Sequence, residues 1–176
     1  MNNLIDVAVK RLSEQPCSEY ELRLYLEKEF TALPDLNAGI DSVFKRLKEL
    51  HLINDFRLAS HLAQHYSHKG NRFITQQLRQ KGIKEAIILQ ALCSLEEENV
   101  RALEEARKKL GSQWDNSEQA MALLYRFLSG RSFSYPAITA VIKQLENKKR
   151  PSLFARLKAL IGYPISAHLK LLLIST

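Results

Sequence analysis

Glycine and proline are scarce in this chain, with 6 and 5 among 176 residues, roughly 3% each where ordinary usage is about 7% and 5%. Too few turn formers are present for a sandwich or barrel of short strands, and a helical chain is the first expectation. Cysteine is limited to Cys17 and Cys93, with no CxxC pair and no disulfide framework of the kind small secreted domains use. A reducing, cytoplasmic setting is the economical reading. Long hydrophobic runs are also missing. Leu171 to Ile174 is a stub beside the roughly 20 apolar residues that a membrane span requires. The N-terminus has Asp6 inside its short apolar stretch and no basic n-region, which argues against a signal peptide.

What is present fits a folded, basic chain. Hydrophobic residues make up 45% and charged residues 26%, and a mean hydropathy of -0.23 is too high for wholesale disorder. Lys and Arg number 26 against 19 Asp and Glu, a formal charge of +7, which points to acidic partners.

Apolar spacings of three and four residues recur almost without interruption, and they fall into three groups of three helices. In the first group, Leu4 to Glu14 reads as a helix ended near Pro16. Ser18 with Glu21 forms a capping box before Leu22, Tyr25, Leu26 and Phe30. After Leu33-Pro34-Asp35, the residues Ile40, Val43, Phe44, Leu47 and Leu50 make a stripe. In the second group, Asn54 or Asp55 caps a helix carrying Leu58, Ala59, Leu62 and Tyr66. A short helix with Ile74 and Leu78 then ends in a Schellman turn at Gly82-Ile83, and Ile87, Ile88, Ala91, Leu92 and Leu95 follow. The third group has Val100, Leu103, Ala106, Arg107 and Leu110 in its first helix, closed by Gly111. Ala120, Leu123, Leu124, Phe127 and Leu128 follow, closed near Gly130, and Ser134 caps Ile138, Val141, Ile142 and Leu145.

The middle helices resemble one another at a spacing of about 50 residues, as tandem modules do. The expected organisation is therefore an all-α array of three-helix modules, helix-turn-helix-like, in an elongated, curved body. Its parts are residues 1–54, 55–95 and 96–150, followed by a basic extension over 151–176.

The positive charge is focused. Net charge is -2 over 1–54, +4 over 55–94, -3 over 95–125, +5 over 126–150 and +3 over 151–176. Lys69, Arg72, Arg79, Lys81 and Lys84 cluster around the second helix of the second module. Arg126, Arg131, Lys143, Lys148, Lys149 and Arg150 cluster in the third. Such patches suit phosphates or an acidic protein groove.

Catalytic signals are weak. His61, His65 and His68 stand at i, i+4 and i+7, but no H-E-x-x-H or His/Cys pair accompanies them, and a hydrophilic face explains them better than a metal. Cys93 sits on an apolar stripe and reads as a buried, inert thiol. No GxxxxGK[ST] or GxGxxG cradle exists. Glu96-Glu97-Glu98 and Glu104-Glu105 read as helix-start and solvent-face carboxylates. Trp114 reads as a staple at a helix start. No catalytic residue, cofactor or metal is expected.

Several linked motifs resemble the RecX family, bacterial regulators of the RecA recombinase. They are Ser18-Glu19-Tyr20-Glu21-Leu22, Leu47-Lys48-Glu49-Leu50-His51-Leu52-Ile53-Asn54-Asp55 leading to Arg57 and Ala59, Leu78-Arg79-Gln80-Lys81-Gly82-Ile83, and Tyr125-Arg126-Phe127-Leu128 through Arg131, Phe133 and Ser134. The resemblance covers roughly residues 4 to 148. The sequence departs from the family pattern at Leu58, Asn71, Gln77 and Ser132, the last standing where a glycine would allow a left-handed turn. The resemblance implies a body lying in the groove of the RecA filament on single-stranded DNA, restraining ATP hydrolysis and strand exchange and limiting filament growth. The residues chosen for that contact are Lys69, Arg72, Arg79, Lys81, Lys84, Arg126, Arg131 and Lys143. The chain is expected to act as a monomer without cofactor, with at most weak contact to single-stranded or duplex DNA. The alternative is a direct DNA-binding protein of helix-turn-helix type, using Gln76, Gln77, Arg79 and Gln80.

Overall fold

In this computed structural model, residues 2–31, 35–111 and 117–149 are described. The Leu33-Pro34 break, Trp114, Arg150 and the 151–176 extension lie outside the described residues, as do the side chains of Lys148 and Lys149. The described residues contain nine helices and no strand: α1(Asn2–Glu14), α2(Glu19–Glu29), α3(Leu36–Glu49), α4(Asp55–His65), α5(Asn71–Gln80), α6(Glu85–Cys93), α7(Glu98–Leu110), α8(Glu118–Gly130) and α9(Tyr135–Lys149). None is long and apolar enough to cross a membrane.

Local chemistry sets several of the helix ends. Ser18 and Glu21 form the reciprocal capping box that starts α2, satisfying backbone donors that a helix N-terminus leaves orphaned. The Asn54 side chain accepts the Arg57 amide at 3.0 Å to start α4, and Ser117 accepts the Ala120 amide at 3.1 Å to start α8. Three helices end in one motif. At α5 the Ile83 amide donates to the Leu78 carbonyl at 3.2 Å and the Gly82 amide to Arg79 at 2.9 Å. At α8 the Phe133 amide donates to Leu128 at 3.2 Å and Ser132 to Ser129 at 2.8 Å. At α3 Leu52 donates to Leu47 and His51 to Lys48. These are Schellman turns, which need a left-handed residue in the penultimate place. Gly82 fills it at φ 68, whereas Ser132 and His51 fill it at φ 62 and φ 54 without being glycine. Helix α8 thus includes Gly130 and turns two residues later than the glycine suggests.

Consecutive helices pack in threes, α1–α3, α4–α6 and α7–α9, here called modules 1, 2 and 3. Each module has its own apolar cluster, centred on Leu22, Leu26, Ile40 and Leu47 in the first, on Ile74, Leu78 and Ile88 in the second, and on Leu124, Leu128, Ile138 and Val141 in the third. Burying one such side chain contributes roughly 1.5–3 kcal/mol.

Four apolar or thiol positions differ from the periodic reading. Leu50 is exposed because it caps α3 from beyond its last turn. Val100 lies in the first turn of α7, and Leu123 is rotated about 100° from buried Leu124; both are exposed. Cys93 is exposed rather than buried. It ends α6, whose buried face is Ile88 and Ala91, and two residues of helix carry it to the opposite side. The histidine series is also divided: α4 ends at His65, so His68 belongs to the turn that follows.

Candidate partner-binding surface

The modules meet end to end through their second helices, and the same contacts recur. At the first joint, the Glu19 amide that opens α2 donates to Asp55 Oδ1 at 2.9 Å, and the Ser18 hydroxyl donates to the Lys81 carbonyl at the end of α5. At the second joint, the Asn71 amide that opens α5 donates to Glu98 Oε1 at 2.7 Å, and the Gly70 amide donates to the Arg131 carbonyl at the end of α8, 2.9 Å away. Asp55 and Glu98 are the first residues of α4 and α7. Each carboxylate therefore occupies the positive end of a helix in the preceding module. Each C-terminal end of a second helix adjoins the N-terminal end of the one before it, a favourable alignment of helix dipoles.

Close approach at both joints excludes a side chain. A Cβ on Gly70 would fall 1.9 Å from the Ser132 carbonyl oxygen, and one on Gly82 would fall 2.3 Å from the Tyr20 ring. Asp55 and Arg101 are buried charges at these joints. Burial raises the Asp55 pKa, against the Glu19 amide that lowers it. Burial likewise lowers that of Arg101, opposed by Glu98 and Glu96. Glu98 also accepts the Ser134 hydroxyl at 2.6 Å at the start of α9. Glu98 opens α7, as the helix-start reading has it, whereas Glu105 is not the solvent-face carboxylate the sequence pattern suggests. Glu98 is half-buried, and buried Glu105 stands between Lys108 at 2.7 Å and Arg131 at 3.4 Å.

The eight cations chosen from the sequence are not equivalent. Lys81 is engaged at the first joint, its Nζ 2.8 Å from Glu21 Oε1. Arg131 is half-buried, paired with Glu105 and stacked 4.0 Å from the Phe127 ring centroid. Lys69 lies over Phe73 at 5.5 Å, and its carbonyl accepts Arg101. Arg79 is exposed but makes two hydrogen bonds to Glu85, at 3.0 and 2.8 Å. That pairing raises the Arg79 pKa and lowers that of Glu85. Arg72 on α5, Lys84 at the start of α6, Arg126 on α8 and Lys143 on α9 are exposed and form no ion pair with the described residues.

Arg72 and Arg79 line one open groove of ≈ 630 Å³ with Thr75, Gln76 and Gln80. Arg72 and Gln76 also border a second, of ≈ 540 Å³, with Ser129, Ser132, Ser134 and Tyr135 of module 3. Arg126 and Lys143 stand apart from both linings. No group of three metal-ligating side chains occurs among the described residues.

Comparison with known proteins gives the family. No family model matches the chain. A regulatory protein RecX from Chlorobium phaeobacteroides (strain BS1) is 30% identical over 143 residues, which are 80% of this chain and 91% of that protein. The chain belongs to the RecX family. A regulatory protein RecX from Clostridium botulinum (strain Eklund 17B / Type B) is 28% identical over 148 residues, 81% of this chain and 68% of the relative. Among solved structures, RecX from Lactobacillus salivarius superposes with a TM-score of 0.68 at 23% identity, over 83% of this chain and 96% of that one, and shows the fold. A second crystal structure of regulatory protein RecX gives 0.58 at 26% identity, over 78% and 72%.

The segments that carry the RecX resemblance coincide largely with the joints. Ser18-Glu19, Asp55, Lys81-Gly82 and Arg131 through Ser134 all contribute contacts there. The RecX-like residues therefore fix how modules are strung together, and the unpaired cations lie largely outside them. Arg101 was missed by sequence reasoning because a buried arginine has no periodic signature. A basic residue three places after a helix-opening carboxylate is the one cue it leaves.

Proposed function

We propose that this RecX-family chain regulates the RecA recombinase by lying in the groove of the RecA filament on single-stranded DNA. There it bridges neighbouring protomers, restrains ATP hydrolysis and strand exchange, and limits filament growth. It acts as a cytoplasmic monomer without cofactor or catalytic residue. The regulatory relatives support the role. The observation that carries the mode of binding is the spread of four exposed cations without ion pairs, Arg72, Lys84, Arg126 and Lys143, over two successive modules. Spaced contacts of this kind are individually weak and jointly effective on a repeating acidic surface. Arg79 adds to them after giving up Glu85. Lys69, Lys81 and Arg131 remain part of the candidate set, with a share of their charge already used inside the molecule.

The test is cosedimentation with RecA filaments assembled on single-stranded DNA. Recovery of the chain with filaments, and not with the DNA alone, supports the reading; recovery with neither contradicts it.

A second reading, direct DNA binding, is favoured by the groove that gathers Arg72, Gln76, Arg79 and Gln80, side chains able to address base edges. Gln77 is half-buried and less suited. Gel shifts on bare duplex and single-stranded DNA at rising salt separate the two. Sequence-selective binding that survives salt favours this second reading, and weak binding erased by salt leaves only a phosphate contribution.

A further inference from the structure

The two joints share their carboxylate contacts but differ three residues further along. There α7 presents Arg101 and α4 presents Leu58. Arg101 is 5% exposed. From module 3 it donates to the Ser67 and Lys69 carbonyls of module 2 at 2.8 and 2.7 Å and to the Asn71 side-chain oxygen, while its Nε holds the Glu96 carbonyl at 3.0 Å. These bonds are charge-assisted and removed from water, the circumstances in which a hydrogen bond counts most. Leu58 has no donor to offer. It packs half-buried on the core of its own module and borders a groove of ≈ 350 Å³ with Leu12, Pro16 and Cys17 of module 1. The corresponding groove at the second joint, ≈ 360 Å³, is lined by Arg101 together with Ser67, Glu96 and Glu105. The space is alike, and the chemistry that crosses it is not.

What crosses the first joint among the described residues is the Glu19–Asp55 bond, the Ser18–Lys81 bond, the Lys81–Glu21 pair and the Tyr20 ring lying against the Gly82 backbone, with no buried charge-assisted bond of the Arg101 kind beside them. The Lys81–Glu21 pair is about a third exposed on both sides and is weakened by water. The chain between modules 1 and 2 runs through Leu50 to Asn54, with His51 held at φ 54, a conformation that costs a residue other than glycine free energy.

We propose that the protein is built as two bodies. Arg101 and Glu98 clamp modules 2 and 3 into one unit, and module 1 is hinged on that unit at residues 50–54. The spacing between the cations of modules 2 and 3 is then fixed, while module 1 adjusts its angle to whatever surface the cations engage. This division holds whether or not RecA is the partner.

Hydrogen exchange of the full chain in rising sub-denaturing urea tests it, because amides that open together report one cooperative unit. The core amides of α4–α9 are expected to share one opening, and those of α1–α3 a separate one. In Arg101→Met, protection of α4–α9 falls by about tenfold or more through loss of the buried bonds, and that of α1–α3 is unchanged. One common opening for all nine helices overturns the proposal. So does a pattern in which α1–α6 open together and α7–α9 apart, or unchanged protection in Arg101→Met. If that variant does not fold, the wild-type pattern decides, joined by Asn71→Ala. This milder change removes one Arg101 acceptor and must lower protection in α4–α9 alone.

Discussion

The Glu98 carboxylate and the Asn71 amide meet at 2.7 Å, tying the start of α7 to the start of α5. Helix α5 has Gly70 as its N-cap residue, which supplies no side-chain cap, so its first turn depends on a residue 27 positions away. Replacing Glu98 by alanine leaves the Asn71 and Ser134 amides without this acceptor and is expected to lower stability by about 1–3 kcal/mol. Urea denaturation followed by circular dichroism measures this as a lower midpoint with native helical content at zero urea. Glu98→Gln, which keeps an acceptor oxygen, falls between the variant and the parent.

Ser132 offers a change in the opposite direction. Its φ of 62 is matched at the equivalent turn by Gly82, and a left-handed serine costs roughly 1–2 kcal/mol relative to a glycine in the folded state. Part of that gain is lost to the freer unfolded chain. Ser132→Gly is therefore expected to raise stability by about 0.5–1 kcal/mol, read as a higher urea midpoint. Gly82→Ala must lower it, since the new Cβ meets the Tyr20 ring.

The local signals in the sequence were the legible ones. The Ser18–Glu21 capping box and the Gly82–Ile83 ending each lie within six residues, and both are formed. Apolar spacing likewise locates nine helices. Pairings at a distance left no such trace. Lys81 finds Glu21 from 60 residues away and Arg101 finds Ser67 from 34, so one is spent on a joint and the other escapes notice. Cys93 shows the limit of a stripe read without its helix end: on a helix of nine residues, the last position turns away from the face that Ile88 and Ala91 define. Of the candidate surface, the sequence located the charged region, but distance-dependent pairing decides which cations remain unpaired.

Charge reversal separates the unpaired cations from the paired ones. Arg72→Glu with Arg126→Glu is expected to leave the urea midpoint within about 0.5 kcal/mol of the parent, since both side chains are exposed. It should raise the concentration needed for half-maximal filament inhibition roughly tenfold. Lys81→Glu instead sets two carboxylates together at the first joint, beside Glu21. Its expected effect is a loss of about 1 kcal/mol in stability.

Asp55 gives a pH dependence of defined sign. Burial raises its pKa above the ordinary carboxylate value, with Glu19 acting in the same direction and the Glu19 amide, Lys48 and Lys84 opposing. The folded state then holds the proton more tightly than the unfolded chain. The contribution is fully present below the unfolded pKa and is lost as pH rises through the folded one. Asp55→Asn keeps an acceptor oxygen for the Glu19 amide and removes the titration. Across this acidic window, the stability of the parent relative to Asp55→Asn is expected to decline as pH rises, measured by urea denaturation of both proteins at each pH.

Titrating the chain into RecA assembled on single-stranded DNA while following ATP hydrolysis tests most directly the proposal that it restrains the filament. Inhibition that develops at or below stoichiometric amounts and weakens in the Arg72→Glu, Arg126→Glu variant is the predicted result. Undiminished hydrolysis at stoichiometric amounts of the folded chain would contradict it.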